Sequence, residues 1–198
     1  STALWKIDYA ETASNLKLYN QRINDWCRDF DGYLIESDMD SHLLVFKNSL
    51  AAVKFAECVQ LNLIRLQWSA NFIGMCNEVY NYSQADLKRN LWNGIKIRIG
   101  ISSGEALVDS TMSLSKSKTY IPKVRYFGNA VNMSAMIESQ CFGGQIAVAE
   151  NVYEELSPYL ENQTLDEKGG LHLFEEKKAN PNVTKNLYMI NPKFKTFA

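Results

Sequence analysis

Apolar positions at Leu4, Ile7, Leu16, Leu18, Ile23 and Trp26 recur at roughly helical spacing up to Phe30, and Ser1 or Thr2 can cap the segment. The pattern predicts one long amphipathic helix. The spacing then shortens. Asp31-Gly32 is a turn signal, and the apolar runs 33–35 and 42–46 flank the polar stretch 36–41, which predicts a β-hairpin with an acidic tip. Val53, Phe55, Ala56, Val59, Leu63, Ile64 and Leu66 predict a second helix over residues 50–68. Residues 69–93 have mixed polarity and read as an insertion, with a short helix opening at Ser83 and closing near Trp92-Asn93-Gly94. Residues 95–101 alternate for half their length and predict a strand, whereas residues 109–119, rich in Ser, Thr and Lys, predict an exposed loop or hairpin tip. A helix follows over 128–139, a strand over 145–149 and a short helix over 150–156. Short strands are predicted at Leu165 and over 171–174, with a closing strand over 187–190. This order is that of an α/β (α+β) ferredoxin-like βαββαβ sandwich with C-terminal additions, its first strand missing from the chain.

Composition narrows the setting. With 198 residues, 46% hydrophobic and 22% charged, the chain suits one domain over residues 1–198, and neither disorder nor a disulfide scaffold is indicated. Lys plus Arg (21) nearly balance Asp plus Glu (22), so no net field draws the domain to nucleic acid or an acidic membrane. Cys27, Cys58, Cys76 and Cys141 lack CxxC or zinc spacing and read as free thiols in a reducing cytosol. No apolar run approaches the ~20 residues that span a bilayer, so membrane attachment is expected only through segments outside this chain.

The chemistry lies in the stretch Val124-Arg125-Tyr126-Phe127-Gly128-Asn129-Ala130-Val131-Asn132-Met133-Ser134-Ala135-Met136. It resembles the signature of class III nucleotidyl cyclases, which in most members runs aromatic-Gly-x-x-Val-Asn-x-x-x-Arg. Other segments resemble the family in order: Gly32-Tyr33 through Phe46, Leu91-Trp92-Asn93-Gly94, Ile97-Arg98-Ile99-Gly100-Ile101-Ser102-Ser103-Gly104 and Gly143-Gly144-Gln145-Ile146. The likeness covers most of residues 1–157 and is nearest to the trypanosomatid receptor-type adenylate cyclases, with the opening residues also similar to fungal adenylyl cyclases.

The resemblance implies a set of roles. Class III cyclases join the ribose 3′-hydroxyl to the α-phosphorus and expel pyrophosphate, using two divalent ions, Mg²⁺ or Mn²⁺, held by two aspartates. Asp40 holds the second metal position; the first is expected about four residues before Ser1. Met39 stands where the family usually has Gly, which implies a hairpin of changed shape. Glu36 and Arg125 hold the base-reading positions. They are chemically coherent either as a guanine-reading pair or as a salt bridge that fills an abandoned pocket. Arg98 matches the triphosphate-binding arginine and Asn132 the ribose-orienting residue. Met136 replaces the arginine that stabilises the transition state, which implies a crippled homodimer. Glu175 is the candidate at the position of the late triphosphate lysine. His42 and His172 read as strand packing.

The implied protein is a cyclase domain for ATP or GTP, in a homodimer or heterodimer, in the cytoplasm or on the cytosolic face of a receptor. It is inactive or strongly impaired as a homodimer. The alternative is a pseudocyclase serving as a regulatory or structural dimerisation module, with a ferredoxin-like binding module of another kind as the third reading.

Overall fold

The computed structural model describes residues 2–83, 92–114, 120–162, 173–177 and 187–190. The long helix expected at the start is two helices, α1 (Thr2–Ile7) and α2 (Tyr9–Asp29). Asp8 divides them: its backbone is extended (φ −148°, ψ 110°) and its carboxylate accepts the Glu11 amide at 2.9 Å, capping α2. Apolar spacing runs through this break, so periodicity alone missed it. The Thr12 hydroxyl donates to the Leu4 carbonyl at 3.1 Å and ties the short helix back onto the long one. At the far end Asp31 turns left-handed (φ 52°) and the Gly32 amide donates to the Cys27 carbonyl at 2.8 Å. A Cβ on Gly32 would come within 2.4 Å of the Phe46 ring, so only glycine fits this exit.

The expected hairpin follows as β1 (Tyr33–Asp38) and β2 (Ser41–Val45), antiparallel, with Asp38 opposite Ser41 and a bulge between Leu34 and Glu36. Next comes α3 (Ser49–Leu63), capped by Asn48, whose side chain accepts the Ala51 amide at 2.8 Å. It stops short of the expected residue 68 because Trp68 folds back, its indole N–H donating to the Leu63 carbonyl at 3.1 Å. Ser69 then caps α4 (Ala70–Tyr80), which ends at left-handed Asn81. Phe72, Met75 and Cys76 of α4 join Leu4, Leu16, Ile23, Phe55 and Val59 in the largest core. The short helix expected from Ser83 falls mostly outside the described residues.

The strand expected over 95–101 narrows to β3 (Ile99–Ile101). Upstream, the Ile97 carbonyl is taken by the Gln60 side chain (3.0 Å) and the Gly144 amide (2.6 Å), so the alternating residues before Ile99 are held by a helix and a turn instead of a ladder. The stretch expected as an exposed loop or hairpin tip belongs to a hairpin, with 109–114 in strand: β4 (Leu107–Leu114) pairs antiparallel with β5 (Tyr120–Phe127) in register from Leu107 opposite Phe127 to Leu114 opposite Tyr120. Residues 107–110 are exposed, so in this part of the hairpin the ladder hydrogen bonds, and not burial, hold the first strand. Residues 115–119 lie outside the described set.

Helix α5 (Asn129–Ser139), strand β6 (Ile146–Ala149) and helix α6 (Glu150–Asn162) complete the site-bearing half; α6 runs past its expected end at 156 and includes Pro158. The chain then adds β7 (Leu173–Lys177) and β8 (Leu187–Ile190), giving a sheet of order β3-β6-β8-β7 with β3 and β6 parallel. The strand expected at Leu165 lies outside the described residues. Strand β6 is buried on both faces. Ile146 and Val148 pack with Val53, Val152 and Leu156, while Ala147 and Ala149 pack with Ile137 and Cys141 of the opposite layer. The result is the expected mixed α/β sandwich. Among the described residues no helix is long and apolar enough to cross a membrane.

Candidate active site

The hairpin tip carries Asp40 into solvent. Met39 beside it adopts φ 50°, the left-handed backbone that Gly would take without strain, at a cost of roughly 1 kcal/mol for a side-chain-bearing residue. The turn at the tip is left-handed in spite of the Met39 side chain. Asn20 of α2 pins it, donating from Nδ2 to the Met39 carbonyl at 2.9 Å. Behind the tip the rings of Tyr19 and His42 pack 5.2 Å apart. Burial, and then the Asp40 carboxylate, push the Tyr19 phenol far above its ordinary range. Burial pushes His42 below its ordinary value, against the opposing pull of Asp40, so the imidazole is neutral at pH 7.

Glu36 on β1 and Arg125 on β5 are both exposed. They form no ion pair with each other, whereas Arg22 pairs with Asp25 and Arg98 with Glu138. The salt bridge that would have filled an abandoned base pocket is absent from this chain's own fold. Arg125 instead stands directly across the β4–β5 ladder from Asp109, on the same face of the hairpin.

Helix α5 starts at Gly128 (φ 130°), which has no side chain to cap it. Asn132 and Met136, four residues apart, share one face of α5; Asn132 is exposed and Met136 half-buried. The helix lies flush on β3. A Cβ on Gly100 would meet the Ser134 carbonyl oxygen at 2.3 Å and the Glu138 nitrogen at 2.4 Å, so the glycine of Arg-Ile-Gly-Ile is what admits the helix backbone. That docking sets Arg98 against α5, where its Nε donates to Glu138 Oε1 at 2.5 Å.

The structure thus brings Arg98 to the helix that carries Asn132 and Met136. No hydrogen bond or ion pair among the described residues links those groups to Asp40 or Glu36 on the hairpin. Glu175 falls at the register shift of β7. A polar cleft of about 190 Å³ opens at the carboxyl ends of β3 and β6, lined by Ser102, Ser103, Asn129, Met133, Glu150 and Glu154, and it contains none of the expected site residues. No group of three His, Cys, Asp or Glu among the described residues is placed to hold a metal ion. Two neighbours of these groups were not singled out from the sequence, Glu138 beside Arg98 and Asp109 opposite Arg125. Only strand register and helix docking, which no local pattern encodes, single them out.

A family model of the adenylate and guanylate cyclase catalytic domain matches residues 1–185, and the chain belongs to that family. It is 27% identical to a receptor-type adenylate cyclase of Trypanosoma brucei brucei over 178 residues, covering 82% of this chain and 14% of that protein. It is also 27% identical to the adenylate cyclase of Podospora anserina over 165 residues, covering 82% of this chain and 7% of that protein. The chain therefore spans a small part of each relative's length. Among solved structures, an adenylate cyclase from Trypanosoma brucei in its monomeric state matches with a TM-score of 0.74 and 23% identity, covering 100% of this chain and 86% of that one. A guanylate cyclase domain from Catenaria anguillulae in complex with GTP matches with a TM-score of 0.60 and 16% identity, covering 94% and 85%. At these identities the structural likeness is one of fold.

Proposed function

We propose that this domain supports conversion of a nucleoside triphosphate to a cyclic nucleotide and pyrophosphate only beside a more complete partner domain, and that it is inactive or strongly impaired as a homodimer. The observation that carries this reading is Met136, one helical turn from Asn132 on the same face of α5, where the family has a cation. In the reaction the ribose 3′-oxygen bonds to the α-phosphorus as the bond to the pyrophosphate oxygen breaks, and charge grows on the α-phosphate oxygens. Asn132 would orient the ribose and Arg98 would bind the triphosphate, but a thioether offers that charge no hydrogen bond. Loss of one such donor typically costs ~10²–10³ in rate.

Glu36 and Arg125 supply the base contacts in this proposal. Free of each other, a carboxylate that accepts from guanine N1-H and N2-H and a guanidinium that donates to O6 favour GTP over ATP. Catalysis in the family requires Mg²⁺ or Mn²⁺, of which Asp40 would be one ligand. Such an ion is held by one or two carboxylates with substrate phosphates and waters completing its shell, and among the described residues Asp40 is the one expected carboxylate. We place the domain in the cytoplasm or on the cytosolic side of a receptor, with the free thiols of Cys27, Cys58 and Cys76 in support.

The second reading is a pseudocyclase, a regulatory or structural dimerisation module. The half-exposed Arg98–Glu138 pair favours it, because a guanidinium already engaged by a carboxylate attracts a phosphate less. The two readings separate when the purified domain is incubated with Mg²⁺ or Mn²⁺ and ATP or GTP, alone and mixed with a complete cyclase domain. Cyclic product that rises only in the mixture supports the first. No product in any mixture supports the second.

A further inference from the structure

We propose that Glu138 is a positioning residue that fixes the Arg98 guanidinium for the nucleotide triphosphate; this rests on the cyclase reading above, which gives Arg98 its ligand. Three observations support it. The pair is made through Nε alone, at 2.5 Å, so the two terminal nitrogens of Arg98 are left to meet a phosphate end-on. The side chains are 48% and 39% exposed, so the pair sits where a soluble polyphosphate can reach it. The placement is also built in. Gly100 lets the α5 backbone lie against β3, and this holds the Glu138 carboxylate beside the segment that carries Arg98.

Glu138 lies in the last turn of α5, where an acidic side chain works against the helix dipole, and Arg98 offsets that cost. A free arginine side chain loses much rotamer freedom when it clamps a phosphate. One already tethered at Nε has lost part of it beforehand. The carboxylate also lowers the local positive charge, so orientation and electrostatics oppose each other and substitutions can separate them.

The test is calorimetric titration of inorganic tripolyphosphate into the whole chain and its variants, without metal, with thermal melting to confirm folding. Glu138→Ala should weaken binding about tenfold, the scale of one hydrogen bond to a charged group. Glu138→Gln keeps an acceptor for Nε without the charge and should bind at least as tightly as the parent. In an Arg98→Ala background the Glu138→Ala effect should vanish. If Arg98→Ala weakens binding while Glu138→Ala leaves it unchanged or tightens it, the positioning role is overturned and the triphosphate role of Arg98 stands. If Arg98→Ala has no effect, or the parent chain binds no tripolyphosphate, both are overturned.

Discussion

Met136 is half-buried on α5, one turn beyond Asn132, and restoring a guanidinium there needs no change of backbone. In the domain assayed alone, Met136→Arg should raise cyclic-product formation by ~10²–10³, the worth of one transition-state donor. An unchanged rate would mean that other groups at the site are also lost. At the hairpin tip, Met39→Gly removes the left-handed strain and should raise stability in thermal melting by up to about 1 kcal/mol, less the entropy glycine adds to the unfolded chain. Met39→Val should lower it, because a branched side chain tolerates that conformation least. Glu57 on α3 supplies a pH signature. Burial raises its carboxyl to about 7 against the lowering pull of Lys54, so the folded state binds its proton more tightly than the unfolded state. Its contribution therefore falls as pH rises from about 4.5 to about 7 and is flat above. Glu57→Gln should stabilise the domain more at pH 8 than at pH 5, as read from melting temperatures. An equal gain at both would contradict the shift.

Where burial and local spacing specify an element, the sequence was readable. The hairpin β1–β2, helix α3 with its apolar stripe, the fully buried strand β6 and helix α5 all lie close to their expected positions. Misreadings fall where another interaction decides. A single carboxylate cap splits α1 from α2, and Asp8→Ala should cost about 1 kcal/mol of stability, measured by denaturant unfolding. In β4 the ladder to β5 holds a strand whose Ser- and Thr-rich sequence carries no burial signal. The site followed the same rule. Asp40, Arg98 and Asn132 are proposed from local motifs, whereas the Glu138 contact with Arg98 depends on how α5 docks across Gly100. Gly100→Ala would drive a methyl group into helix backbone and should destabilise the domain by about 1–3 kcal/mol.

At the scale of the molecule, the expected groups divide between two places. Asp40 and Glu36 lie on one hairpin, while Arg98, Asn132 and Met136 gather around α5 and β3 with no described bond joining the sets. Such a division suits a site completed by a second domain, and it lets one chain lose a group that its partner supplies. It also makes the isolated chain the sharpest probe. The measurement is cyclic AMP and cyclic GMP formation by the purified domain alone, with Mn²⁺ and ATP or GTP. The account predicts no product above background until a complete cyclase domain is added. Efficient turnover by the domain alone would contradict it.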